Sequence, residues 1–213
     1  MTERKKFRRE GEHARRDALI EAALQLVGEG GAQAATVRAI ADRAGVTPGL
    51  IRHYFSGKED LTRVAYAALM SRINADNAAV LDTAPQAPEA RLAAYVAASL
   101  RPPVVDGEAI GLWAAFLHGV RTDPEMRAVH EAGYLEYRNR LQSLIAALPR
   151  AASEARLRAD AIACNAVIDG LWLEGSVLPH AFAPDEILRI GLGSVGAILD
   201  IDLLSHLPAE ATP

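Results

Sequence analysis

Cysteine is almost absent: Cys164 is the one thiol in 213 residues. A disulfide within the chain is thereby excluded, as is any zinc or iron–sulfur site built on several thiolates, and a reducing, cytoplasmic setting is expected. Aromatic residues are scarce at 5%, with only two tryptophans. Long apolar runs are missing too. The longest, Ala109–Val120, has the length of a buried helix and falls short of a bilayer span, so no membrane insertion is expected. The basic start, Met-Thr-Glu-Arg-Lys-Lys, leads into no apolar segment and so carries no secretory signal. No stretch keeps a strict two-residue alternation for six positions, which removes the usual mark of a half-buried strand.

What remains suits a core-forming globular chain, half of it hydrophobic and 23% charged. The net charge of −4 hides an asymmetry, because residues 1–60 carry 11 Lys and Arg against 9 acids and the rest carry 12 against 18. Arg4, Lys5, Lys6, Arg8, Arg9, Arg15 and Arg16 concentrate the positive charge near the start. A basic, flexible arm over 1–13 ahead of an acidic body fits a polyanionic partner, and it fits a solvated tail as well.

The remaining pattern is helical. Ile20, Ala23, Leu24 and Val27 recur at helical spacing, and Val64, Ala68 and Ile73 follow more loosely. A first helix begins near Ala14 and stops at Gly30-Gly31. Thr36 caps a short helix to about Ala44, after which Gly45 supplies a left-handed turn. Thr47-Pro48 opens a second short helix, and Ser56-Gly57-Lys58-Glu59 has the capping-box form for a long one reaching about Leu81. Further helices are predicted over 88–100, 106–121, 124–147, 153–178 and 184–205, separated by prolines. The fold class is all-α, with about nine helices.

Two short helices joined at Gly45 have the spacing of a helix-turn-helix. Ile40, Ala41, Ala44, Val46, Ile51 and Phe55 form its apolar side, which leaves Thr47, Pro48, Gly49, Arg52, His53 and Tyr54 on the second helix for a partner. The small start of that helix admits the backbone to a major-groove floor. Arg52 offers the bidentate fork that suits guanine. Tyr54 and Lys58 reach phosphates, and Arg38 reaches a neighbouring base or phosphate. His53 either touches DNA or braces the helix.

This segment resembles the DNA-binding region of the TetR family of bacterial regulators. The shared pattern runs through Thr36, Ile40, Ala41, Ala44, Gly45 and Val46, then the aromatic pair Tyr54-Phe55, Lys58 and Leu61. The match makes Thr36 a further candidate for the DNA face. Arg52 departs from the pattern, standing where many members carry tyrosine. The resemblance implies a three-helix DNA-binding head over 14–62 and a larger helical effector-binding and dimerisation body over 63–208. It also implies double-stranded operator DNA as partner, two recognition helices in successive grooves about 34 Å apart or over a longer family-specific span, and homodimerisation through the last two helices. Val167, Leu171, Ile187, Ile190, Leu192, Val195 and Leu199 are the apolar candidates for that interface.

His53-Tyr54-Phe55, Leu112-Trp113-Ala114-Ala115-Phe116 and Ile168-Asp169-Gly170-Leu171-Trp172-Leu173 resemble the BetI-type repressors, which respond to choline. The implied effector is a small molecule, with a quaternary ammonium such as choline the first to try. Trp113, Phe116, Tyr134, Asp169 and Trp172 are the expected ligand-binding residues, aromatic faces with one carboxylate. The same aromatics at helical spacing also read as plain core.

Three other patterns carry no chemistry. Gly191-Leu192-Gly193-Ser194-Val195-Gly196 follows no strand, so its glycines are expected to permit close helix packing at a dimer interface rather than to hold a nucleotide. His130-Glu131 lacks a second histidine at 134, so no metal site is expected. Cys164 sits in an apolar setting and is expected to be inert. No cofactor and no enzymatic activity are expected. The expected function is that of a ligand-responsive DNA-binding regulator, a repressor released by its effector. The alternatives are a constitutive DNA-binding protein without an effector and an enzyme on an all-α body.

Overall fold

The computed structural model describes residues 3–101, 104–105 and 107–206, of which 3–10 and 107–109 are described by their backbone alone. Among the described residues the elements are helical: α1 (Glu3–Ala34), α2 (Val37–Arg43), α3 (Pro48–Tyr54), α4 (Lys58–Thr83), α5 (Pro88–Ser99), α6 (Gly107–Thr122), α7 (Pro124–Ala146), α8 (Glu154–Val177) and α9 (Glu186–Leu199), followed by a 3-10 turn at Leu204–His206. The all-α expectation holds. The expected end of the body at 208 and the start of a helix at 106 lie outside the described residues.

Local chemistry explains most boundaries. The segment expected as a flexible arm is helical from Glu3, continuous with α1. That helix breaks where expected, because Gly31 takes φ 70°, a left-handed conformation open to glycine. Thr36 caps α2 by accepting from the Ala39 N–H at 3.1 Å. Gly45 (φ 66°) then lets the Val46 N–H return to the Ala41 carbonyl at 3.0 Å and its own N–H to that of Asp42 at 3.2 Å, the paired bonds of a Schellman turn.

Two further boundaries differ from expectation. The helix after Ser56 starts at Lys58, and the acid that reaches back is Asp60 rather than Glu59. Its Oδ2 accepts from the Ser56 N–H at 2.9 Å and from the hydroxyl at 3.3 Å, because Asp60 is the third helical residue. The last long helix ends at Leu199 instead of 205. Asp200 adopts a left-handed φ of 57°, and the Ile201 N–H bonds the Gly196 carbonyl at 3.0 Å. A Cβ on Gly196 would stand 2.6 Å from the Ile201 carbonyl oxygen, so glycine admits the returning chain, which buries Leu203.

The chain divides into two compact units, Met1–Ser71 with Gly111–Glu131 and Arg72–Ile110 with Ala132–Pro213. In the first, Leu19, Ala23 and Val27 of α1 pack with Ile40, Ile51, Phe55, Leu61 and Tyr66, and the same core takes in Phe116 and Met126. The helix-turn-helix head therefore shares its core with the start of α4 and the α6–α7 turn, beyond the expected limit at 62. In the second unit, Leu92, Tyr95 and Val96 of α5 pack with Leu141 and Ile145 of α7, Cys164 and Ile168 of α8, and Leu188, Leu192 and Val195 of α9.

Candidate nucleic-acid interface and effector site

The first unit presents α3 by burying its other side. Ile51 is 1% exposed and Phe55 is buried in the core, with the Arg16 guanidinium 5.3 Å from the Phe55 ring centre. That orientation leaves Thr47, Pro48, Gly49, Arg52 and His53 exposed, with Tyr54 half-buried. The His53 ring stands edge-on to Tyr54, ring centres 4.9 Å apart, so His53 touches its neighbour within the recognition helix. Arg38 stands in solvent with one weak approach to Asp42 at 3.9 Å. The Lys58 ammonium donates to the Ala32 carbonyl at 3.3 Å, which fixes it beside the end of α1.

Arg43 belongs to the scaffold. Its two terminal nitrogens each donate to the Glu29 carboxylate at 2.8 Å, joining α2 to α1. Those hydrogen bonds hold the exposed Glu29 carboxyl below its ordinary value. Arg63 ties the start of α4 to the α6–α7 turn through ion pairs with Asp60, Asp123 and Glu125. The head is thus braced by charge pairs on its flank and left with cations on its α3 face.

The second unit holds a compact polar cluster. The Tyr134 hydroxyl donates to Asp169 Oδ2 at 2.5 Å. Asn165 Nδ2 donates to the same oxygen at 2.8 Å and to the Tyr134 oxygen at 2.6 Å. Burial pushes the Asp169 carboxyl above the usual carboxylate range, against the pull of these two donors. Burial and the adjacent carboxylate push the Tyr134 phenol up to about 12, so it stays protonated as the donor at neutral pH. Next to this cluster, Tyr95 and Tyr137 stack at 5.2 Å, and the Tyr137 hydroxyl shares a 2.8 Å hydrogen bond with Ser99. Burial raises the Tyr137 phenol, and the nearby Asp169 charge adds to that rise. Trp172 donates its indole N–H to the Val104 carbonyl at 2.7 Å and packs against the same core.

Of the five expected ligand-binding residues, the structure brings Tyr134 and Asp169 into direct contact, with Trp172 one helical turn along α8. Trp113 and Phe116 belong to the first unit. Phe116 is buried there and stacked on Tyr66 at 4.7 Å, and the Tyr66 hydroxyl bonds His130 Nδ1 at 2.6 Å. Asn165 was not among the expected residues. Its sequence signal is the four-residue spacing to Asp169, which places both on one side of a helix.

The expected dimer face needs correction. Leu192, Val195 and Leu199 are at most 1% exposed, inside the chain's own core. The glycines expected at that interface also serve packing within the chain: a Cβ on Gly191 would stand 2.2 Å from Leu100 Cδ1. The exposed apolar side consists of Ile162, Ala166, Gly170, Leu173 and Val177 on α8 with Ile190 on α9. Periodicity marked α9 as apolar, and the bundle turned its richest side inward. Cys164 is buried, and burial pushes its thiol up to about 12, away from reactive thiolate. Among the described residues no group of three or more His, Cys, Asp and Glu is arranged to hold a metal, and no helix is long and apolar enough to cross a membrane.

A helix-turn-helix held on a shared core, its second helix bare and carrying Arg52 and His53, in a chain with a separate helical unit that holds a partly buried polar cluster, defines a DNA-binding regulator. Residues 19–65 match the bacterial regulatory proteins of the tetR family, and residues 88–200 match the C-terminal domain of BetI-type transcriptional repressors. The chain belongs to the TetR family, with a BetI-type C-terminal domain, and is a transcriptional regulator. It is 34% identical to the HTH-type transcriptional regulator BetI of Brucella suis biovar 1 over 183 residues, which span 85% of this chain and 88% of that one. A transcriptional regulator from Pseudomonas aeruginosa PAO1 superposes with a TM-score of 0.79 at 32% identity, over 90% of this chain and 93% of that one. A regulator from Saccharomonospora viridis, solved in complex with choline, shares the fold at 18% identity and a TM-score of 0.68, over 83% and 92% of the two chains.

Proposed function

We propose that the chain is a cytoplasmic, homodimeric repressor that binds operator DNA through α3 and is released by a small cationic effector. The observation that carries the effector class is Asp169, a partly buried carboxylate fixed by two hydrogen bonds, with no cation paired to it among the described residues. Tyr134 and Trp172 supply aromatic surface on the same unit, and each cation–π contact contributes ~0.5–2 kcal/mol. Choline, bound by the structural neighbour, is the first compound to try. Release then follows from a differential affinity of the effector for two conformations, with ~1–3 kcal/mol of coupling. The deciding experiment measures binding to duplex DNA from the region upstream of the chain's own gene, with and without choline, alongside thermal shifts. A cation that raises the melting temperature and weakens DNA binding supports the reading. DNA binding with no response to any cation supports a constitutive DNA-binding protein instead.

In this reading Arg52 reads a base, Lys58 and Tyr54 hold phosphates, and Thr47, Pro48 and Gly49 approach the groove floor, with Thr36, Arg38 and His53 at the margins. Lys58→Ala is expected to weaken binding to all sequences and to lower the salt slope by about one. Arg52→Ala is expected to relax preference at one base position by roughly 1–3 kcal/mol. Anisotropy titrations at several salt concentrations on matched and single-mismatch duplexes distinguish the two, and wild-type behaviour of both variants refutes this docking face.

The exposed apolar side of α8 and α9 is the proposed surface for a second copy, related by a two-fold axis. Leu173→Glu with Ile162→Glu is expected to leave each protomer folded and to yield monomers with weakened DNA binding, as sedimentation and circular dichroism report. A wild type that sediments as a monomer at micromolar concentration overturns the dimer.

A further inference from the structure

We infer that Asn165 is an effector-contact residue, and that the effector it selects carries an O–H or N–H donor close to its positive charge. The inference rests on the proposal of a cationic effector at Asp169 and specifies the chemistry beside that charge. Asn165 is 3% exposed, yet its Oδ1 has no hydrogen-bond partner. Buried carbonyl oxygens without partners are costly and uncommon. Reversing the amide does not relieve it, because Oδ1 would then face the Asp169 carboxylate now bonded by Nδ2 at 2.8 Å. The carboxylate thus sets which way the amide points.

Asn165 therefore offers an acceptor, and Asp169, one turn along α8, offers a negative charge. A fully substituted ammonium without a hydroxyl meets the charge and leaves Oδ1 unmet. A cationic amino alcohol or a protonated amine meets both. Tyr134 is fixed as donor to Asp169 and acceptor from Asn165, so it holds the geometry between the two groups.

Calorimetry with choline and its O-methyl ether tests the idea, since the ether keeps the trimethylammonium charge and removes the donor. Wild-type protein is expected to bind choline at least about tenfold more tightly than the ether. In Asn165→Ala the preference for choline over the ether is expected to be lost, the two cations binding alike. Equal affinities in the wild type overturn the donor requirement, as a buried water on Oδ1 would produce, and leave the cationic effector standing. A preference that survives in Asn165→Ala overturns the assignment to this residue. Binding of neither cation overturns both this inference and the cationic reading on which it rests. Where the variant fails to fold, equal wild-type affinities for the two cations still overturn the inference.

Discussion

Asp169→Asn is expected to bind choline about a hundredfold more weakly than the wild type and to melt no earlier. The amide oxygen of the new side chain accepts the bonds that Tyr134 and Asn165 now give to Oδ2, so the cluster keeps its connections. What disappears is the charge. At ~5 Å and an effective dielectric near 20, a carboxylate attracts a cation by ~3 kcal/mol, which corresponds to about two orders of magnitude in affinity. Stability moves the other way, because the folded carboxyl is raised by burial. A raised folded value means that the native state holds its proton more tightly than the unfolded chain. Its contribution to stability is therefore present at low pH and is lost as pH rises through the folded value. The wild type alone is expected to show that loss just above the ordinary carboxylate range, and its choline affinity to fall as pH drops through the same window. Unchanged choline affinity in Asp169→Asn removes Asp169 from the site.

Asp160→Ala is expected to destabilise the second unit by about 3–5 kcal/mol. Asp160 is buried, and its two oxygens take Arg150 at 2.5 Å and Arg156 at 2.7 Å. Burial pushes the carboxyl up, and the two guanidinium partners outweigh it and hold it below the usual range. Removing the carboxylate leaves Arg150, which already has an unpartnered buried Nε, without its counter-ion. Thermal melts on the variant are expected to fall by ~10 °C, while an Arg156→Ala variant, whose own side chain is 60% exposed, shifts much less. Because the folded value is depressed, this stabilisation is present above the ordinary carboxylate value and is lost as pH falls through the depressed one. A melting temperature within 2–3 °C of the wild type, within the range of ~1 kcal/mol, rules out this role.

The DNA-binding head was largely legible before the fold was known. Thr36, Gly45 and Ser56 act through bonds to residues three or four positions away, and Pro48 through its own fixed φ, so their effects are written in local sequence. The alternation of Ile51 and Phe55 with Arg52 and His53 told which side of the recognition helix is free. The effector cluster was legible in part. Asp169 and Trp172 share a helix and a spacing, whereas Tyr134 lies 35 positions from Asp169 and joins it only through the pairing of α7 with α8. Asn165 carried no signal as a single residue, since an amide becomes informative when burial leaves one of its atoms unpaired.

The sequence by itself determined the helix periods, the caps, the turn chemistry and the division of charge, because each depends on neighbours along the chain. Only the tertiary structure decided which apolar side of α9 and of α8 faces inward. Leu192, Val195 and Leu199 of α9 pack against α5 and the returning chain at Leu203, and that leaves the weaker stripe of Ile162, Ala166, Gly170 and Leu173 on α8 outside. The same packing placed Phe116 on Tyr66 in one unit and Tyr134 on Asp169 in the other. Burial sets the pairing and protonation of such residues, and burial is a property of the assembled bundle.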